Sequence, residues 1–204
     1  LDPDDILLSR HLSPRAKKVA EFGRPPAFHL GYEVLHPDGK VDLVTHLPSP
    51  INDKLLEGNF LSINVFLLRE VAIRNPFDSD LSLSEDYELW MRIAARHPIL
   101  VFPEITSRVI NHLGRSLFKI ETAELIKQKF LVDKKLKADE KFMEFYGNRI
   151  NIFEANRDLF LALHLAIGNS RWMAFRSLIH AILINPSIVL QYRFVVALKK
   201  IVLW

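Results

Sequence analysis

The chain contains no cysteine among its 204 residues. Disulfides, thiolate metal sites and a cysteine nucleophile are therefore excluded, and the absence fits a reducing compartment. Long apolar runs are missing too. The longest uncharged stretch, Ser177 to Tyr192, is broken by His180 and Pro186 and is short for a bilayer crossing. The opening residues do not read as a signal peptide. No patch interleaves aromatic and basic residues, so nucleic acid is not an expected partner. No repeat spans the chain. What remains is a sequence that is 49% hydrophobic and 25% charged, enough to bury a core in one or two domains. The net charge of +3 is uneven: residues 1 to 118 carry 13 Lys/Arg against 16 Asp/Glu, and the remainder 14 against 8.

In order, Leu1 followed by Asp2-Pro3-Asp4-Asp5 reads as the end of a buried strand entering a carboxylate loop. With nothing ahead of that acidic cluster, the chain is expected to be the later part of a longer polypeptide. Asp2 and Asp4 offer hard oxygen donors for Mg²⁺ or Mn²⁺, or serve only as helix-capping acids. Ile6 to Glu21 is expected to be a helix that restarts at Ser13-Pro14. Ala27 to Leu35 and Lys40 to Thr45 flank a Pro-Asp-Gly turn and predict a β-hairpin. Ile51 to Glu57 predicts a short helix, and Phe60 to Arg69 a buried strand. Gly58 either lets backbone approach a ligand or caps the preceding helix. Ile99 to Phe102 and Ser107 to Asn111 predict two strands separated by a turn at Pro103-Glu104. His112 then sits at a strand end, as a metal or phosphate ligand or as a polar turn residue.

The central helix begins at Ser84-Glu85-Asp86-Tyr87-Glu88-Leu89-Trp90-Met91-Arg92, capped by Ser82 or Ser84. Glu85, Glu88, Arg92 and Arg96 share one face, with Glu88 set to pair with Arg92. Leu89, Trp90, Ile93 and Ala94 form the other. Asp86 falls on that second face, as the one charge turned inward. Helix dipoles favour carboxylates at helix N-termini, so Asp86 is either a first-turn acid bonding backbone N–H groups or a general base. From Glu121 the apolar period becomes helical, predicting helices near 121–146, 150–167, 171–184 and 187–203. The last combines Phe194, Val195, Leu198, Ile201 and Trp204 with Arg193, Lys199 and Lys200. It suits either a membrane-surface helix or one packed on its own domain.

Four stretches, in this order, resemble a family 2 glycosyltransferase of the GT-A fold: Leu1 to Ile6, Glu57 to Ser62, Ser84 to Arg92, and His112 to Ser116. They are similar to the family's DxD metal loop, its glycine loop, its xED acid and its C-terminal metal histidine. The resemblance implies an α/β fold: a truncated, Rossmann-like GT-A domain lacking its N-terminal nucleotide-binding strands. Residues 1–118 would form its acceptor-side part and 119–204 a C-terminal α-helical extension. It further implies that Asp4 and His112 ligate Mg²⁺ or Mn²⁺, with Asp2 against the metal or ribose. Asp86 would deprotonate an acceptor hydroxyl, while Glu85, Gly58, Asn59 and Trp90 contact substrate. The implied partners are a nucleotide-sugar donor and a glycan, lipid-linked or other hydroxyl acceptor, as in cell-wall or polysaccharide synthesis. The implied location is the cytoplasm, with peripheral contact at the inner face of the membrane. No Gln/Arg-x-x-Arg-Trp sequence follows Asp86, so transfer of a single sugar is expected, and without the missing half the fragment is expected to be inactive. The rival expectation is a non-catalytic α+β interaction module whose basic helical tail docks on a membrane or partner.

Overall fold

The computed structural model describes residues 5–61, 64–112 and 120–203. The protein has an α/β fold with a mixed five-stranded sheet and, among the described residues, eight α-helices. It divides into two compact units. One comprises Leu1–Leu55, Asn59–Asp78 and Asp86–Lys119; the other comprises Leu56–Gly58, Ser79–Glu85 and Ile120–Trp204. The boundary expected at 118/119 lies outside the described residues.

In the first unit the strands are β1 (Ile6–Leu7), β2 (Ala27–Leu35), β3 (Val41–Val44), β4 (Val65–Leu67) and β5 (Ile99–Ile110). The path runs β1-β5-β2-β3, with β4 also on β2. Only the β2–β5 pair is parallel; the other three are antiparallel. β2 is thus the hub, pairing β4 through Ala27 to His29 and β3 through Tyr32 to Leu35. The β2–β3 hairpin follows the expected turn. Phe28, Leu30 and Phe102 form the core beneath it, with Phe28 stacked on Phe66 at 5.3 Å.

Three expectations for this unit need correction. Ile6 and Leu7 are a strand, because they find an edge on β5 opposite Arg108 and Ser107. The helix α1 therefore starts only at Ser13 (Ser13–Glu21), where Pro14 fixes a first-turn φ. Of the strand expected over residues 60–69, the described residues form strand at Val65–Leu67, and α2 (Arg69–Arg74) follows closely. The break at Pro103-Glu104 falls where expected but is a bulge within one strand: pairing passes from Leu30↔Phe102 to Tyr32↔Ser107, so β5 advances five residues while β2 advances two. Gly31 makes that bulge feasible, since a Cβ there would lie 2.8 Å from the Pro103 carbonyl oxygen. Glu104 pairs with Lys18 at 2.7 Å.

A buried polar network ties α1 to the sheet. The Arg15 guanidinium donates to Asn64 Oδ1 at 2.7 Å, to Thr106 Oγ1 at 3.2 Å and to the His11 carbonyl. It also lies 4.2 Å over Phe66. Asn64 in turn donates to the Gly31 carbonyl at 2.7 Å. Arg15 is 2% exposed, and burial brings its pKa down to about 10.

The central helix α3 (Glu85–Ala94) sends Leu89, Met91, Ile93 and Ala94 into the core of the sheet unit. The second unit continues with α4 (Thr122–Ala138), α5 (Glu140–Tyr146), α6 (Ile150–Ile167), α7 (Arg171–Ile184) and α8 (Tyr192–Leu203). The expected helix over 121–146 is split at Asp139, whose carboxylate caps α5 by accepting from the Phe142 N–H at 3.1 Å. Ala155, Ala162, Ala181 and Ala197 sit at the contacts among α6, α7 and α8, where small side chains let helix backbones approach. Phe194 and Ile201 of α8 pack inward on that core while Val195, Leu198 and Val202 remain exposed. Among the described residues, no helix is long and apolar enough to cross a membrane.

Candidate active site around Asp86

Gly58 and Asn59 end the 3₁₀ turn of Asn52–Glu57. Asn59 closes a local turn by accepting from the Leu61 N–H at 3.2 Å, and its amide donates to Asp86 Oδ2 at 2.7 Å. Two residues singled out in separate motifs, 27 positions apart, thus meet directly. The other carboxylate oxygen, Oδ1, accepts from the Tyr87 N–H at 2.6 Å. Tyr87 donates its hydroxyl to the Leu55 carbonyl at 2.6 Å, holding the start of α3 against the segment before the loop. Asp86 bonds a helix N-terminal N–H, as the first of the two roles weighed for it requires, and it stays half-exposed. Each carboxylate oxygen can accept a further hydrogen bond, so the group can still meet an incoming hydroxyl.

The inward charge on α3 is Glu88, not Asp86. Glu88 is 2% exposed, and Arg92 Nε donates to its Oε1 at 2.6 Å. The pairing was expected, but on an outer face. Arg92 reaches back to the Pro76 carbonyl at 2.8 Å, so loop and pair together cover the carboxylate. Trp90 is likewise a core residue, 8% exposed with a buried indole N–H that has no partner among the described residues, which leaves little ring for a sugar to stack on. Glu85 is half-buried. The Ser84 hydroxyl accepts from Lys129 Nζ at 2.6 Å, with Ser84 at φ 63°.

Gly58 has φ 147°, a conformation L side chains rarely adopt. A Cβ there would come within 2.9 Å of an Arg193 guanidinium nitrogen, and Arg193 donates to the Glu57 carbonyl. The glycine therefore makes room for an arginine of α8.

Of the expected metal donors, Asp2 and Asp4 lie outside the described residues. His112, half-buried, follows β5 directly. Asp5, the residue after Asp4, accepts from the Ile110 N–H at 3.3 Å, so the end of the acidic stretch meets β5 two residues before His112. Beside it stands a cluster that sequence reasoning missed. His36 Nε2 bonds Asp42 at 2.9 Å, and Asn111 Nδ2 bonds His36 Nδ1 at 3.2 Å. Lys40, and then His36, hold the Asp42 carboxyl below the usual carboxylate range. His36 opens the recognised Pro-Asp-Gly turn, but its pairing across β3 and β5 has no local signal. Two carboxylates and an imidazole would suit Mg²⁺ or Mn²⁺. Among the described residues, no three His, Asp or Glu side chains gather closely enough to hold a metal ion. No family model matches the chain, and neither does any curated protein.

Proposed function

We propose that the chain is the acceptor-side part and helical extension of an inverting, metal-dependent glycosyltransferase of the GT-A, family 2 type. The observation that carries the reading is the 2.7 Å bond between Asn59 and Asp86, which joins the glycine loop to the acid of α3. The approach of Asp5 to the strand leading to His112 supports it. The mixed α/β sheet is compatible with a truncated GT-A domain lacking its nucleotide-binding strands. In this reading Asp86 takes the proton of an acceptor hydroxyl as its oxygen attacks the anomeric carbon of a nucleotide-sugar. Asn59 fixes the carboxylate so that its remaining lone pairs face the acceptor. Asp2, Asp4 and His112 would hold Mg²⁺ or Mn²⁺, which when bound neutralises charge on the leaving diphosphate. The acceptor is a glycan, lipid-linked or other hydroxyl, and the location is cytoplasmic with peripheral contact at the inner face of the membrane.

The test is Asp86→Asn in the parent polypeptide, assayed for transfer with a panel of sugar nucleotides and Mn²⁺. The amide can still accept from the Tyr87 N–H, so the stability loss should be about 1 kcal/mol or less. Transfer should fall by on the order of 10²–10⁴-fold, the range of general-base catalysis. A modest stability loss with near-normal transfer would leave Asp86 as a cap and favour the non-catalytic interaction module.

A further inference from the structure

The helical unit contains a groove that the glycosyltransferase reading does not use. It is an open depression of about 480 Å³ between α4, α6 and α7, within the range of about 300–1,000 Å³ seen for small-molecule sites. Its walls are Ile126 and Phe130 from α4, Leu161 and Leu165 from α6, and Ile179 and Leu183 from α7. Trp172, 70% exposed, stands on the same lining. Leaving such a surface in water is unfavourable.

The polar groups in this groove are few and share a pattern. Asp158 is the one acid, and its charge is already engaged: Arg157 Nε donates to Oδ1 at 2.9 Å. The other oxygen, Oδ2, bonds His180 Nδ1 at 2.5 Å, which fixes the imidazole while half its surface remains exposed. His180 Nε2 has no partner among the described residues. Arg176 also lines the groove and has no carboxylate partner among them. After Asp158 the sequence contains Arg171, Arg176, Arg193, Lys199 and Lys200 but no Asp or Glu. An apolar channel with a guanidinium and an imidazole on its lining and no unengaged acid complements one kind of ligand.

We propose that this groove binds a single long-chain carboxylate, with the alkyl chain between α4, α6 and α7 and the carboxylate on Arg176 and His180. Arg176 supplies a planar pair of donors suited to a carboxylate. His180, held by Asp158 at Nδ1, offers Nε2 to the ligand, and it can donate at both nitrogens only when each carries a proton. A bilayer surface would cover exposed ridges such as Leu183 but would not fill a depression between three helices. The inference is independent of sugar transfer.

The experiment is calorimetric titration of the full chain with laurate below its micelle concentration, alongside dodecylammonium as the charge-reversed chain. Saturable laurate binding at one site is expected, with dodecylammonium at least about tenfold weaker. Arg176→Gln and His180→Asn should each weaken laurate about tenfold, the loss of one charged hydrogen bond. Ile179→Glu, on a partly exposed wall, should abolish binding while the circular dichroism and melting temperature stay unchanged. The proposal is overturned if laurate does not saturate, if both head groups bind equally, or if folded Ile179→Glu binds normally. Flotation with phosphatidylglycerol vesicles separates the other source of anionic chains. A protein that floats without taking up monomeric laurate overturns the groove in favour of a bilayer-seated face.

Discussion

Acidification should unfold this protein earlier than its carboxylates alone would require, and His29 is the reason. His29 lies in β2 with 0% exposure, and neither ring nitrogen has a hydrogen-bond partner among the described residues. Its ring meets Tyr32 edge-on at 5.7 Å. Burial, with the positive charge of Arg15 adding to it, lowers the pKa from 6.5 to about 4. The folded state therefore holds the neutral imidazole, and the unfolded chain binds a proton that the folded chain refuses. Stability is fully present above the unfolded value near 6.5 and is lost as pH falls toward the folded value near 4. Linkage over that window gives a loss of about 2 kcal/mol at pH 5 and about 3 kcal/mol at pH 4 relative to pH 8. The assay is urea unfolding followed by circular dichroism at half-unit intervals from pH 8 to 4.5. His29→Phe is the control, since it keeps an aromatic ring but cannot titrate. Wild type should lose stability to acid more steeply than the variant, and the gap between them should open between pH 6.5 and 4.5. A gap that stays constant across this range would falsify the linkage, as would an imidazole proton resonance titrating near 6.5 in the folded protein.

Four further outcomes follow from the same geometry. Gly31→Ala should cost about 1–3 kcal/mol in urea unfolding, because the added methyl meets the Pro103 carbonyl, and backbone there must move. Arg157→Met should cost about 1–3 kcal/mol by thermal or chemical melting, since it removes the cation shared by buried Asp133 and Asp158 and leaves them to Lys137 and His180. Asp139→Ala should remove the α5 cap for about 0.5–2 kcal/mol, with helical circular dichroism otherwise retained. Asn59→Ala should leave the fold within about 1 kcal/mol, since the bond to Asp86 is exposed. If Asp86 is the proposed base, Asn59→Ala should lower turnover in transfer assays more than donor affinity, because Asn59 positions that carboxylate.

Sequence carried the local features of this fold well and the long-range ones poorly. The helices of the second unit were legible because Gly168-Asn169 and Asn185-Pro186 stop the chain where the apolar period breaks, and α6 and α7 end there. The β2–β3 hairpin was legible for the same reason. By contrast, Ile6 and Leu7 could become a strand only because β5 offers an edge about 100 residues later. The break at Pro103 was legible, but that β5 continues beyond it along β2 as one bulged strand was not. Whether a proline interrupts a strand depends on the facing chain, and here Gly31 yields the space. The apolar side of α3 was read correctly, with Leu89, Trp90, Ile93 and Ala94 buried, but the inward charge was mis-assigned because periodicity orders residues around a helix without saying where the buried side ends. Both Glu88 and Asp86 are compatible with the sequence, and the choice falls to Arg92, which neutralises Glu88 and lets it be buried. That exchange bears on function. With Glu88 paired and enclosed, Asp86 is left half-exposed and tethered only by Asn59 and its own helix end. A carboxylate that must meet a solvent-borne hydroxyl needs such a position. On the proposed reading, the buried pair gives α3 a fixed seat from which Asp86 would act as the base.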